Sequence, residues 1–262
     1  MLPPARFSAN TGFLYPELDF LDRVRAAARD GFDAVEFHDE GQRADRAALR
    51  SALAEAALPV IGLNVAMGPT AGSAAIPGER DRARREIEAA VELAEDVGAG
   101  AVHVLAGKTK APGARDAYLE SLAFALRATS GTVLIEPICS RAMPEYFLNS
   151  LDEAIAVVDE LNDPRARILF DCYHVETEHG DALARFRACA ERVGHVQIAS
   201  VPERAEPRSG EAAGALDYAT LLPAFAAEGY GGAFGCEYVP TVTDEGAFAW
   251  RAALESRFGT GT

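Results

Sequence analysis

The sequence predicts a single (β/α)8 barrel, and three observations carry that prediction. Eight short apolar, β-rich runs alternate with longer amphipathic ones along 262 residues. That leaves about 33 residues for each strand-plus-helix unit, the size of one βα repeat. The runs are nearly continuous in apolar side chains, as parallel strands covered on both faces require. The first strand is followed by Asn10-Thr-Gly12-Phe-Leu, with no GxGxxG turn, so a doubly wound open sheet lacks its usual opening.

Strands are expected at 6–10, 34–37, 60–64, 101–106, 132–136, 166–171, 194–199 and 233–237, with eight helices between and after them. Leu18-x-x-Leu21-x-x-Val24, Ile87-x-x-x-Val91-x-x-Ala94 and Ile155-x-x-Val158-x-x-Leu161 carry apolar residues at helical spacing. Ser150-Leu-Asp-Glu153 reads as a capping box. Gly31, Gly98 and Gly229 stand where helices stop and positive φ is useful. Three connections, 65–78, 137–149 and 200–216, are longer than usual, and long loops in such a fold tend to be functional. No linker or low-complexity stretch divides the chain, so one barrel domain over 1–262 is expected.

The formal charge of −15 opposes nucleic acid and anionic lipid as partners, because both carry like charge. It leaves room for a small anionic substrate, since a metal ion or one arginine can invert the local potential. No apolar run is long enough to cross a membrane, and the start, Met1-Leu2-Pro3-Pro4-Ala5-Arg6, has no signal core. The four cysteines, Cys139, Cys172, Cys189 and Cys236, form no CxxC pair, which suits a reducing compartment. A cytoplasmic protein is the expectation.

Catalysis in such barrels occupies the C-terminal ends of the strands. Glu36, Glu136, Asp171, Gln197 and Glu237 stand at or near those ends. The last four lie about one βα unit apart, so successive strands offer oxygen ligands to a common point. Clustered carboxylates repel unless neutralised, and an oxygen-only set favours Mg²⁺ or Mn²⁺ over zinc. Around them, His174 lies three residues beyond Asp171, and His103 sits inside strand four. His195 shares the inward face of Gln197 or lies at the barrel bottom. Arg204 stands in the strand-seven loop, where it could meet an anionic substrate or be a surface residue. His38 and His179 are expected to be solvated. No lysine ends strand six, which weakens a Schiff-base aldolase. No glycine-rich phosphate cup follows strands seven and eight, so the substrate is not expected to be phosphorylated.

The motifs Gly31-Phe-Asp-Ala-Val-Glu-Phe37, Val102-His-Val-Leu-Ala-Gly107, Leu134-Ile-Glu136, Asp171-Cys-Tyr-His174, His195-Val-Gln-Ile-Ala199 and Gly235-Cys-Glu-Tyr238 carry a resemblance over almost the whole chain. The sequence resembles the hydroxypyruvate isomerase family, within the xylose isomerase-like barrel superfamily of sugar isomerases and epimerases. The resemblance implies that Glu136, Asp171, Gln197 and Glu237 ligate a divalent metal, with Glu136 and Glu237 also the acid/base pair. It implies that His174 and Arg204 contact substrate; His103, inside strand four, is a further substrate-binding candidate read from the sequence itself, its alternative being a hydrogen-bonded structural role. Hydroxypyruvate would then pass to tartronate semialdehyde through a cis-enediolate, whose charge the metal stabilises. Relatives are often dimers or tetramers, so a homo-oligomer is compatible with the resemblance.

The rim departs from the family pattern at His38-Asp39-Glu40-Gly41, in a strand-three loop that is shorter than its relatives' though long for a barrel, at Ala205, in extra residues over 210–214, and at Val239. Rim chemistry selects the substrate and leaves enolisation itself untouched. A 3-epimerase or isomerase of a larger ketose or a 2-keto-tetronate is therefore the alternative. A metal-dependent endonuclease is a distant one, opposed by five histidines and the charge. A non-catalytic barrel is the other, and it would require a lost ligand.

Overall fold

The computed structural model describes residues 4–210, 216–242 and 246–255. Eight parallel strands close on themselves: β1 (Phe7–Asn10), β2 (Ala34–Phe37), β3 (Val60–Asn64), β4 (Ala101–His103), β5 (Thr132–Ile135), β6 (Ala166–Asp171), β7 (Val193–Ile198) and β8 (Phe234–Cys236). β8 pairs with β1, and each other strand pairs with its sequence neighbour. Register brings the strand ends level: Asn10 lies opposite Glu36, Asn64 opposite His103, and Asp171 opposite Gln197.

Four strands stop earlier than the sequence suggests, β7 by a single residue at Ile198. β4 ends at His103 because the following backbone turns to loops. Ala106 N donates to the Tyr146 hydroxyl, and Ala106 O accepts from Ala75 N. β5 ends before Glu136, where Pro137 has no N–H to extend the ladder. β8 stops at Cys236, and Glu237 N donates back to Gly235 O in a tight turn.

The helices exceed the eight expected. Ten α-helices occur among the described residues: α1 (Phe20–Arg29), α2 (Glu40–Arg43), α3 (Arg46–Ala56), α4 (Arg80–Val97), α5 (Ala114–Ala128), α6 (Leu151–Leu161), α7 (Cys172–His179), α8 (Ala182–Cys189), α9 (Tyr218–Ala227) and α10 (Ala249–Glu255). Two connections are split. Asp45 restarts a helix by accepting from Ala48 N, and Asp181 does the same through Ala184 N. The Ser150 cap holds, its Oγ accepting from Glu153 N. Gly31, Gly98 and Gly229 all have positive φ at helix ends, as expected.

α4 buries Ile87, Val91 and Ala94 as its spacing predicts. In α6 the buried stripe is instead Leu151, Ala154, Val157 and Val158, so Ile155 and Leu161 sit at its edge, half-buried. Phe186 of α8 and Phe225 of α9 pack 4.2 Å apart on Phe170 of β6, and each such buried aromatic contributes about 1.5–3 kcal/mol by burial alone. Within the barrel, Ala101, Leu134 and Leu169 form a separate apolar cluster. The four cysteines are buried and free. No helix among the described residues is long and apolar enough to cross a membrane.

Candidate active site

Above that apolar cluster lies a polar layer. Glu36 is 4% exposed, and its carboxylate accepts from Ser8 Oγ, Asn10 Nδ2 and Gln197 Nε2 and contacts His195 Nε2 at 2.6 Å. Burial pushes its pKa up, but these donors and the nearby imidazole outweigh burial and hold it below the ordinary carboxylate range. Glu36 therefore supports the site from beneath, and His195 lies inside the barrel as its partner. The layer fits only because β8 offers no side chain at Gly235. A Cβ there would stand 2.6 Å from Glu36 Oε1, 2.7 Å from His195 Nε2 and 2.8 Å from Gln197 Cγ. Gly235→Ala is expected to cost about 1–3 kcal/mol through overpacking, read as a lower urea midpoint with unchanged slope; an unchanged midpoint would contradict this packing.

One level higher sit Glu136, Asp171 and Glu237, all buried. Asp171 ends β6 and also caps α7: its Oδ1 accepts from Tyr173 N at 2.7 Å, leaving Oδ2 for the cavity. The cap starts a helical turn that carries His174 back over the site, with Nε2 3.6 Å from Asp171 Oδ2 and 3.7 Å from Glu136 Oε1. His174 Nδ1 accepts from Cys139 N at 3.4 Å and lies 3.2 Å from Cys139 Sγ. A ring nitrogen that accepts leaves the hydrogen on the other one, so Nε2–H faces the carboxylates. Burial lowers the His174 pKa to about 3, which keeps the ring neutral. Glu136, Asp171 and His174 offer atoms within 4.8 Å of one another, a spacing that could hold a metal ion.

Arg204 is no surface residue. It is mostly buried, and its Nη2 donates to Asp171 Oδ2 at 3.1 Å and Glu237 Oε2 at 2.8 Å. The guanidinium stacks between Phe13, at 4.6 Å, and Tyr173, at 5.1 Å. Its backbone takes φ +56° and is tied across to the β8 loop, since Val239 N donates to Arg204 O. Nearby Glu206 extends that tie by accepting from Thr241 N, Thr241 Oγ1 and Val242 N.

These charges separate the carboxylates. Burial, reinforced by Glu237 and Asp171, pushes the Glu136 carboxyl well above its ordinary range. Burial likewise raises Asp171 to about 7, against the pull of Arg204. Glu237 goes the other way: burial opposes ionisation, but Arg204 and His38 overcome it and hold the pKa at about 2.

Two histidines expected in solvent are elsewhere. His38 is 15% exposed, with Nε2 2.9 Å from Glu237 Oε1. His179 is half-buried, and its Nε2 accepts from Leu151 N at the start of α6. His103 is buried against Asn64, with Nδ1 3.1 Å from Asn64 Oδ1 and Nε2 3.8 Å from Glu136 Oε2; burial lowers its pKa to about 3. Asn10, which reaches both Glu36 and Glu237, was missed, although it ends its strand as Glu36 nearly ends the next. His38 also carried a signal, because it lies two residues beyond Glu36 on the same inward face. At the rim, Val239 is 52% exposed; of the extra stretch 210–214, residues 211–214 lie outside the described residues.

The donor set fits a hard divalent cation. Buried Glu136 Oε1 and Gln197 Oε1 have no hydrogen-bond partner, and Arg204 is the arginine that bridges Asp171 and Glu237. The buried acids stand at the C-terminal ends of β5, β6 and β8 of a closed barrel, the face on which such barrels carry catalysis. The sequence pattern described as Xylose isomerase-like TIM barrel matches residues 24–256, and the chain belongs to that family. It is 41% identical to 2-oxo-tetronate isomerase of Cupriavidus necator over 94% of this chain and 96% of that one. It is 32% identical to hydroxypyruvate isomerase of Escherichia coli over 94% and 97%. These relatives make it an isomerase. A crystal structure described as AP endonuclease, family 2, from Brucella melitensis superposes with a TM-score of 0.89 at 32% identity, covering 96% of this chain and 99% of that one.

Proposed function

We propose that this chain is a metal-dependent isomerase of small 2-oxo acids that carry a hydroxyl beside the carbonyl. The observation that supports this most is the pair Glu136 and Glu237, buried with Asp171 at one barrel end and reaching it from strands three apart. A proton can leave the hydroxyl-bearing carbon to one carboxylate and return to the former carbonyl carbon, passing through a cis-enediolate. For hydroxypyruvate the product is tartronate semialdehyde, with no atom gained or lost. Glu136, Asp171, Gln197 and Glu237 would hold Mg²⁺ or Mn²⁺, which supplies positive charge where the enediolate develops negative charge. His174 Nε2–H and Arg204 would donate to substrate oxygens, and His103 would line the same wall. The 41% identity to a 2-oxo-tetronate isomerase favours a four-carbon acid over hydroxypyruvate.

The test is carbon-bound proton exchange in D₂O with hydroxypyruvate, 2-oxo-tetronates and free ketoses, each with Mn²⁺ and with EDTA. Exchange is expected on the acids, fastest on the four-carbon one, and only with metal. Exchange confined to ketoses would transfer the chain to the 3-epimerase reading, and exchange undiminished by EDTA would remove the metal. Nuclease activity is opposed by the charge of −15, which repels a phosphate backbone.

A further inference from the structure

Both oxygens of Glu237 are held, and from three different parts of the fold. Arg204 of the β7 loop donates to Oε2. Asn10 Nδ2, from the end of β1, lies 3.2 Å from Oε1. His38 Nε2, just past β2, lies 2.9 Å from the same oxygen. Asn10 is itself oriented, since its Oδ1 accepts from Gly12 N at 3.0 Å. The His38 backbone is fixed as well, its carbonyl accepting from Asn64 N at 3.1 Å.

The ring of His38 lies in a fitted slot. Phe13 meets it edge-on with centroids 5.6 Å apart. Its other boundary is Gly12, where a Cβ would stand 2.4 Å from Nδ1, 2.6 Å from Cε1 and 2.8 Å from Cγ. Any side chain at position 12 would drive the imidazole out of this slot and away from Glu237. A glycine that leaves room for a ring, and a ring that ends on a reacting carboxylate, form one device.

We infer that His38, seated on Gly12, is a positioning residue that fixes the Glu237 carboxylate for metal binding and proton transfer. With Nε2 committed to Glu237 and Nδ1 turned to the Gly12 backbone, the ring acts through Glu237 and does not touch substrate. The inference rests on the reading of Glu237 as ligand and acid/base group. Partners that orient ligands are worth about 10–100-fold in metal affinity or activity when removed.

The experiment measures Mn²⁺ dissociation by EPR of the free ion, together with kcat and KM, on the full chain carrying His38→Leu, His38→Gln or Gly12→Ala. His38→Leu and Gly12→Ala are expected to weaken Mn²⁺ binding about 10–100-fold and to lower kcat with KM nearly unchanged. His38→Gln, whose amide can donate to Glu237, is expected to recover most of both. A leucine variant that matches wild type, or a glutamine variant no better than leucine, overturns the inference. Should the leucine chain fail to fold, Gly12→Ala against His38→Gln decides in the same way. Wild-type protein that binds no Mn²⁺ defeats the metal reading instead, while the kcat comparison of leucine with glutamine still decides the positioning role.

Discussion

Glu136→Gln and Glu237→Gln are each expected to lose about 10²–10⁴ of the substrate proton exchange rate, the range assigned to general acid–base catalysis. Glutamine keeps the shape of either side chain but cannot take or return a proton. Neither variant is expected to disturb the fold. Glu136 Oε1 makes no hydrogen bond, and Glu237 is held by donors that an amide oxygen can still satisfy in part. Exchange in D₂O, followed at saturating Mn²⁺, separates lost chemistry from weakened metal binding. Near-wild-type exchange in either variant would end its assignment as acid or base.

Arg204→Leu has the second largest expected effect, and its two readouts move in opposite directions. The guanidinium bridges Asp171 and Glu237, so in the proposed reaction it would compete with a metal for the same oxygens and would also supply donors to an anionic substrate. Truncating one partner of a buried hydrogen-bonded charge pair costs about 2–5 kcal/mol. In kcat/KM this is a loss of about 30- to 4 × 10³-fold at about 1.4 kcal/mol per tenfold. Mn²⁺ is expected to bind the leucine variant more tightly than wild type, because two carboxylates are left without a counter-charge. Weaker Mn²⁺ binding would show that Arg204 supports the ligands and does not compete for them.

The barrel was readable because its signals are local and repeated. Each strand is a short apolar run, and the strand centres follow from the runs alone. The edges were less readable, since β4 ends where Ala106 meets Tyr146, 40 residues away, a contact that no window around His103 contains. The split connections after β2 and β6 depend on caps at Asp45 and Asp181, residues that are common elsewhere on the surface. Of the site, the acids were legible because strand ends point to one place in a barrel. The polarity of its surroundings was not. Arg204 gave no sequence sign of being buried, because its burial comes from Phe13 on one side and Tyr173 on the other. His38 looked like part of a hydrophilic run, His38-Asp39-Glu40, and only the face it shares with Glu36 argued against that.

The hydrogen bond from Asn10 to Glu237 spans 227 positions, and the last strand closes against the first. During synthesis, a chain extended only through β6 already has Glu136 and Asp171 but lacks Gln197, Arg204 and Glu237. Asn10 and His38 wait until β8 and its loop are made for the carboxylate they hold. Competence to bind and to react thus arrives with closure of the ring, as a late event in biogenesis. The same seam makes the candidate site a reporter of whether β1 and β8 have met.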